Sequence, residues 1–444
     1  MQKKMRGIFT NTLRARFPAQ QSTMPLRHGH HLFLGIKTNT LRSLLLQSAP
    51  ISSLKVAWRK DQRLDGAIER DKRWRMCFRV VRELLNEPGQ RMPLRYLEKR
   101  RERLKLPIKV KTFISRYPSL FDLYPDLLKP KSQPVPFLRP SPRLLDFISH
   151  QSRIQAQHEP LIISKLCKLL MMSKDRVISA DKLSHVKRDF GFPDDFLCNL
   201  VPKYPQYLRL VGSPGEGQSF LELVSWNEEF ARSVIERKAE EESKLTGIRM
   251  RPNFSVKLPP GYYLRKEMRE WVRDWLELPY ISPYSDASPL SQASPEMEKR
   301  TVGLMHELLS LSVFRRIQVP IIGKFCEEFR LSNAFGNMFT RHSGIFYVSL
   351  KGGVKTAMLR EAYDELGELV DRDPLSEIKE RFVEMLDEGH RDYLEKIRMK
   401  REAMKRDLEL LAKRNSEQPM QEEYEEEDDD DDDDEEEEEE KEKF

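Results

Sequence analysis

The sequence predicts an α+β fold dominated by helices, and three observations lead to that prediction. Apolar residues recur at helical spacing over most of residues 58–393. Short strand-like runs interrupt this pattern at three places, and a local motif occurs three times at a constant position before them. We therefore expect three repeated helix–helix–β-hairpin modules that resemble winged helices, followed by a charged helix and a disordered acidic tail. The expected bounds are about 75–150, 160–235 and 299–370 for the modules, 396–418 for the helix and 419–444 for the tail.

The repeated motif is a basic residue, a ring and a Pro or Ser, followed three positions later by an apolar residue. Its three copies are Arg116-Tyr117-Pro118, Lys203-Tyr204-Pro205 and Arg341-His342-Ser343. An apolar residue (Leu106, Phe192 or Leu331) precedes the ring by 11 or 12 positions in every copy. This constant spacing indicates one supersecondary unit repeated three times.

Strand-like runs follow each copy of the motif. In the second and third copies two runs flank a turn that contains glycine, which is the pattern of a β-hairpin. The first copy has one run, at 120–124, and then a longer proline-rich connection. The other hairpin strands are expected at 207–211 with 219–224, and at 345–350 with 354–359. The charged segment 237–252 and the Pro/Ser-rich segment 279–298, a predicted surface loop, interrupt the pattern.

The charge of the chain is unevenly distributed. Residues 422–444 contain 19 acidic and two basic residues, a net charge of −17, so that residues 1–421 carry +23 of a total of +6. With this positive charge, residues 1–421 should attract polyanions, and the usual polyanion is nucleic acid. The acidic tail has few apolar residues to bury and is therefore predicted to be disordered.

The N-terminal segment has the composition of an organellar import peptide. The first 60 residues contain 11 Lys or Arg and no Asp or Glu, and they include stretches that can form a basic amphipathic helix. We expect a transit peptide over 1–53. The leader is rich in Arg with modest Ser content, which favours the mitochondrion, with the chloroplast as the alternative. A basic arm that binds nucleic acid directly is the other interpretation.

No pattern in the chain predicts an enzyme, a metal site or a cofactor. The four cysteines are far apart and form no CxxC pair. His306-Glu307 begins like a zinc-protease helix, but position 310 is Ser where the second His is required. Lys355-Thr356 resembles the end of a phosphate loop that lacks its glycines. No apolar run approaches the roughly 18 residues of a membrane span, and no small-molecule substrate is expected.

The candidate RNA-binding residues fall into two groups. The densest basic cluster comprises Arg95, Lys99, Arg100, Arg101, Arg103, Lys105, Lys109 and Lys111. On one helix Arg95, Lys99 and Arg103 would share a face that contacts phosphates, although a solvated helix surface has the same pattern. The second group places rings beside cations, for stacking on bases and holding phosphates, and comprises Arg116, Tyr117, Lys203, Tyr204, Arg341, His342, Tyr347, Lys351 and Lys355. For the Tyr and Phe rings a core position is the favoured interpretation, which makes the neighbouring cations the better candidates.

Six sequence strings resemble the plant organelle RNA recognition (PORR) domain, in the order of that family. They lie at 55–70, 113–121, 259–262, 278–284, 299–311 and 340–352. The chain departs from the family pattern at Ser343, where Pro is expected. The resemblance covers about 55–395, which places the domain at 54–395. It implies an imported, non-catalytic factor that binds organellar transcripts, promotes the splicing of group II introns, and works with other splicing factors in a ribonucleoprotein. A DNA-associated or protein-interaction scaffold that uses the basic body and the acidic tail is the alternative.

Overall fold

A computed structural model describes residues 59–128, 133–212, 219–258 and 265–417, all within one compact unit, Ile51–Phe444. The predicted transit peptide and the predicted acidic tail lie outside these residues. The helices are α1 Gln62–Leu85, α2 Leu94–Lys99, α3 Arg101–Leu104, α4 Val110–Arg116, α5 Pro142–Gln157, α6 Glu159–Met172, α7 Ala180–Phe190, α8 Phe196–Asn199, α9 Val234–Thr246, α10 Lys266–Glu277, α11 Pro295–Leu311, α12 Val319–Gly323, α13 Gly336–Arg341 and α14 Glu377–Glu417. The strands are β1 Met92–Pro93, β2 Phe121–Leu127, β3 Pro134–Pro140, β4 Val177–Ser179, β5 Leu208–Val211, β6 Phe220–Leu223, β7 Arg316–Gln318, β8 Phe346–Ser349 and β9 Thr356–Leu359.

The predicted fold class is confirmed, because one element order occurs three times. Each module runs helix, short strand, helix, helix, hairpin, except that in module 1 the first helix after the short strand is broken into α2 and α3; each module has a three-stranded antiparallel sheet in which the short strand pairs with the last strand of the hairpin. The sheet orders are β1-β3-β2, β4-β6-β5 and β7-β9-β8. We refer to these units as module 1 (from α1 to β3), module 2 (from α6 to β6) and module 3 (from α11 to β9). The short first strand of each module was not predicted.

Two interruptions in the sequence pattern take part in the fold. Residues 234–246 form helix α9, which begins with a capping box between Ser233 and Glu236. The Pro/Ser-rich segment before α11 is not only a surface loop, because Tyr284 is buried. The Tyr284 hydroxyl donates a 2.7 Å hydrogen bond to the buried carboxylate of Glu307. The polar residues that suggested loops therefore cap a helix and form hydrogen bonds with buried groups.

Modules 2 and 3 share one hydrophobic core, in which α6 and α11 contribute the largest buried surfaces. Glu307 of α11 lies in this core with no exposed surface. Lys168 of α6 donates to it over 3.2 Å, and the backbone N–H of Val234 donates over 2.7 Å. Because buried charges are costly unless paired, this network fixes the two modules and the start of α9 in one arrangement.

Module 1 has a separate core, which the first part of helix α14 completes. Phe382 and Leu386 of α14 are fully buried there. Gly389 lies so close to Ser119 that a Cβ atom at this position would meet the Ser119 Oγ at 2.2 Å. A glycine is therefore needed where α14 crosses module 1. Beyond this point the helix is mostly exposed as far as residue 414.

Helix α1 joins module 1 to module 3. Its N-terminal half packs Leu64 and Ile68 against the sheet of module 3, whereas its C-terminal half buries Val80 and Leu84 in module 1. Asp71 is fully buried at the junction and is paired with Arg316 of module 3. Within the described parts of the chain, no helix is long and apolar enough to cross a membrane.

Candidate nucleic-acid interface

The basic cluster of module 1 does not form the continuous helical row that the sequence predicted. The helix breaks at Arg100, whose backbone angles are φ −96° and ψ 2°, and a four-residue helix, α3, follows. Arg95 and Lys99 therefore lie on α2, whereas Arg103 lies on α3. The prediction that these three side chains share one face of one helix is wrong, because the chain turns between them.

Three cations of this cluster are paired with acidic side chains. Arg100 donates to Glu83 over 2.8 Å and also pairs with Glu87. Arg103 pairs with the same oxygen of Glu83, and Arg101 lies 3.7 Å from Glu98. Glu83 and Glu87 hold Arg100 and α3 against the end of α1, and Glu98 links α2 to α3, so the three arginines have structural roles.

The other five cations of the cluster are exposed and have no carboxylate partner among the residues that the structure describes. They are Arg95, Lys99, Lys105, Lys109 and Lys111. The guanidinium carbon of Arg95 lies 5.4 Å from the centre of the Tyr96 ring. Lys111 lies on α4, which occupies the place of the third helix in a winged helix, and Lys109 immediately precedes it. These five side chains therefore present unneutralised positive charge to solvent.

Three of the predicted stacking rings are buried and offer no face to a base. Tyr117 is hydrogen-bonded to Cys77 in the module 1 core, and burial raises its pKa. The centre of the His342 ring lies 4.3 Å from that of Trp275, and burial lowers the pKa of the imidazole. Tyr347 packs against α1. For Tyr117 and Tyr347 this is the core position that the sequence favoured over stacking, and for His342 it corrects the stacking prediction, since a ring between two elements gains more by burial there.

The remaining ring and its neighbouring cations are engaged with acids. Lys203 donates to Glu159 over 2.9 Å, and the half-buried Tyr204 is hydrogen-bonded to the same carboxylate. Two further pairs are Arg341 with Glu298, at 3.2 Å, and Lys351 with Glu69, at 2.6 Å. Arg116 is half-buried and Lys355 is exposed. The structure does not bring these residues together into one surface with the module 1 cluster.

The histidine that resembled a zinc ligand has a structural partner. His306 is buried, and its Nε2 atom lies 2.9 Å from a carboxylate oxygen of Glu361. Lys238 pairs with the same oxygen at 2.7 Å. Within the described ranges, no three His, Cys, Asp or Glu side chains are arranged to hold a metal ion.

Sequence reasoning missed a second group of cations, which lies on α1. Residues 70–85 contain six Arg or Lys and two acidic residues, a density that was visible in the sequence. Which of them are unpaired was not visible, because the cations that pair with Asp71 and Glu83, the two acids of this segment, come from other parts of the chain. The structure places Phe78, which precedes Arg79 in sequence and lies one turn before Arg82, in contact with Arg188 of module 2, whose guanidinium carbon lies 5.4 Å from the centre of the Phe78 ring.

Comparison with known proteins agrees with the predicted family. Residues 59–391 match the model of the plant organelle RNA recognition domain. The chain is 36% identical to the Arabidopsis thaliana protein WHAT'S THIS FACTOR 1 homolog, chloroplastic, over 80% of this chain and 67% of the relative. It is 30% identical to ROOT PRIMORDIUM DEFECTIVE 1 of Arabidopsis thaliana, over 74% of this chain and 82% of that protein. It is 25% identical to WHAT'S THIS FACTOR 9, mitochondrial, of the same plant, over 77% and 87%. No solved structure gives a significant match.

Proposed function

Because the chain belongs to the plant organelle RNA recognition domain family, we propose that it binds organellar RNA and promotes the splicing of group II introns without catalysing the reaction. The observation that carries this proposal is the exposed group Arg95, Lys99, Lys105, Lys109 and Lys111 in module 1. Each phosphate that such a side chain neutralises releases counterions from the RNA and so adds affinity. A splicing factor of this kind needs no active site of its own, since the intron RNA is the catalyst.

We also propose the chloroplast as its compartment. The leader composition favoured the mitochondrion, but relatives at 34–36% identity carry the word chloroplastic in their names, whereas the mitochondrial relative is 25% identical. This difference favours the alternative prediction. Imaging of the full-length protein with a C-terminal fluorescent tag distinguishes the two organelles.

Binding is tested with a fluorescently labelled, unstructured RNA of about 20 nucleotides and a titration of salt. Replacement of Lys99, Lys109 and Lys111 by Gln removes three phosphate contacts, so the log–log slope of affinity against salt should fall by about 2. The control replaces Lys396, Lys400 and Lys405, three exposed cations on the outer part of α14, by Gln. It removes the same charge and should change the affinity little. Equal losses in both variants would show that net charge, not this surface, determines binding.

The splicing function is tested in a plant line that lacks the protein. Organellar transcripts that co-purify with the tagged protein should contain group II introns, and the ratio of spliced to unspliced RNA should fall for those transcripts in the line. Competition with duplex DNA in the binding assay addresses the DNA-associated alternative. Preferential binding of duplex DNA, or normal splicing of every co-purified transcript, would contradict the proposed function.

A further inference from the structure

The face by which α1 packs on module 3 continues as a row of arginines. Leu64, Ile68 and Asp71 lie on that face, at intervals of three or four residues. Residues at these intervals share one side of a helix. The same intervals lead on to Arg75, Arg79 and Arg82. Because the C-terminal half of α1 buries its opposite side in module 1, this row points away from the module 1 core.

The acidic residues that could neutralise this row are occupied elsewhere. Glu83, one turn after Arg79, is paired with Arg100 and Arg103 through a single oxygen. Asp71, one turn before Arg75, is paired with Arg316 of module 3 and with Lys379 of α14. Arg75 makes a longer, 3.7 Å approach to Asp71 and also interacts electrostatically with the carboxylate of Asp189 on α7. Arg79 and Arg82 have no carboxylate partner in the part of the chain that the structure describes.

Module 2 places one further arginine, Arg188, against α1 beside this row. The guanidinium group of Arg188, from α7, lies over the ring of Phe78 on α1, with its carbon 5.4 Å from the ring centre. Arg188 is exposed and has no carboxylate partner among the described residues. Phe78 precedes Arg79 in sequence and lies one turn before Arg82. The cation–π contact thus holds the Arg188 guanidinium group beside α1, and its N–H groups can still donate hydrogen bonds to a ligand.

Arg79 has a buried hydrogen-bond donor that is not satisfied within the part of the chain that the structure describes. Its Nε atom is buried and has no hydrogen-bond partner among the described residues. Buried donors in folded proteins are nearly always bonded, so one without a partner calls for an explanation. Burial lowers the pKa of Arg79, and the neighbouring Arg75 lowers it further. An anion bound by the guanidinium group would offset the repulsion between the cations.

We infer that Arg79, Arg82 and Arg188, which we call the arginine cleft, bind the phosphodiester backbone of single-stranded RNA at the junction of modules 1 and 2. The inference rests on the proposed function and gives the RNA a second contact surface, beyond the lysines of module 1. Guanidinium groups suit this ligand because their forked donors match the two oxygens of a phosphate. The rings at this site are already in contact with other side chains, so the cleft recognises backbone and not bases. Glu83, the residue after Arg82, pairs with Arg100 and Arg103 and so joins this stretch of α1 to the start of α3.

The test compares four variants in the RNA-binding and salt-titration assay described above. The first carries Arg79→Gln, Arg82→Gln and Arg188→Gln, the second the three module 1 substitutions, and the third the three control substitutions on α14. The loss of three phosphate contacts should lower the log–log slope of affinity against salt by about 2. If the variant and the wild type bind equally at 1 M salt, this difference in slope makes the variant roughly 100-fold weaker at 0.1 M salt. A fourth variant replaces the same three arginines by Lys, which keeps the charge and should recover most of the affinity. Thermal unfolding of each variant shows that it is folded.

The outcomes separate the cleft from the proposed function. A loss of about 100-fold together with the lower slope, additive with the module 1 loss, supports the cleft. If the cleft variant binds like the control while the module 1 variant is weakened, the cleft is wrong and RNA binding stands. If the unsubstituted protein binds no RNA, both proposals fail. If the cleft variant loses binding to polyglutamate but not to RNA, the site takes an acidic peptide and the inference is overturned.

Discussion

Asp65 on α1 accepts a 2.9 Å hydrogen bond from the hydroxyl group of Tyr347, a residue 282 positions later in module 3. The same carboxylate oxygen accepts a 2.6 Å bond from Ser349. Asp65 is buried, so these bonds replace the water that a carboxylate would otherwise bind. Two strings that resemble the family, 55–70 and 340–352, therefore meet across the fold and join the first module to the last.

Replacement of Tyr347 by Phe should destabilise the protein by about 1–3 kcal/mol, the cost of removing one partner from a buried charged group. The ring and its packing are kept, so the loss comes from the hydroxyl. Urea unfolding of the wild type and the variant measures it. Tyr96→Phe, at an exposed position on α2, is the matched control and should change the free energy of unfolding by less than about 0.5 kcal/mol. Equal stabilities for the wild type and Tyr347→Phe would contradict a clamp between modules 1 and 3.

Acid should remove a contribution that Glu361 makes to stability. Burial opposes the charge of this carboxylate, but the hydrogen bonds from His306 and Lys238 outweigh it and lower its pKa to about 2, from an ordinary 4.5. The folded state therefore holds the charged form more tightly than the unfolded state does. The contribution is fully present above pH 4.5 and is lost as the pH falls from 4.5 towards 2.

The variant Glu361→Gln lacks the titrating group and tests this dependence. It should be less stable than the wild type by about 1–3 kcal/mol at pH 7, and the difference should shrink as the pH falls below 4.5. Urea unfolding at a series of pH values between 7 and 2.5 measures it. A difference that is constant across this range would show that the charge of Glu361 plays no part.

The hairpins of modules 2 and 3 were predictable because their strands are long enough to show a pattern and flank a turn with glycine. The first strand of each module was not, since strands of two or three residues such as Met92–Pro93 and Val177–Ser179 have no measurable periodicity. They are strands only because a hairpin formed later in the chain pairs with them.

The sequence was enough to predict which cations belong to the candidate site, but not which of them are paired with acids. Arg100 and Arg103 look as free in sequence as Lys99 does. Their partner Glu83 lies 17 and 20 residues earlier and becomes a neighbour only when α3 folds back on α1. The helix break at Arg100 has the same origin, because every residue around it is a good helix former. Tertiary pairing overrides local propensity at this point.

The leader should be necessary for import and dispensable for RNA binding. Its 11 cations without a single acid suit recognition as a positive amphipathic helix. Residues 1–60 fused to a fluorescent reporter should therefore direct it into an organelle, and residues 59–444 should bind RNA with the affinity of the whole chain. A diffuse cytosolic reporter would contradict import, and a weaker truncated protein would favour a basic arm that binds RNA.

The acidic tail should compete with RNA for the basic body. Its 19 carboxylates are attached to a body of net charge +23, so their local concentration near the module 1 lysines is high without any added ligand. Such a contact should suppress weak, sequence-independent binding more than binding of a cognate RNA, since only the cognate RNA adds contacts that depend on shape. A tail that serves solubility alone is the competing explanation.

Truncation after Met420, with affinities measured for cognate and random RNA at low and high salt, decides between these two roles of the tail. Competition predicts that random RNA gains the most affinity at low salt, because the tail no longer occupies the cationic surface. The gain should fade at high salt, as ions screen the attraction between tail and body over distances of about 10 Å at 0.1 M and 3 Å at 1 M. A tail of equal length in which Ser and Gly replace the acids is the matched control, and it should behave like the truncated protein. If the truncated and full-length proteins bind random RNA equally well at low salt, the tail does not compete and its charge serves solubility.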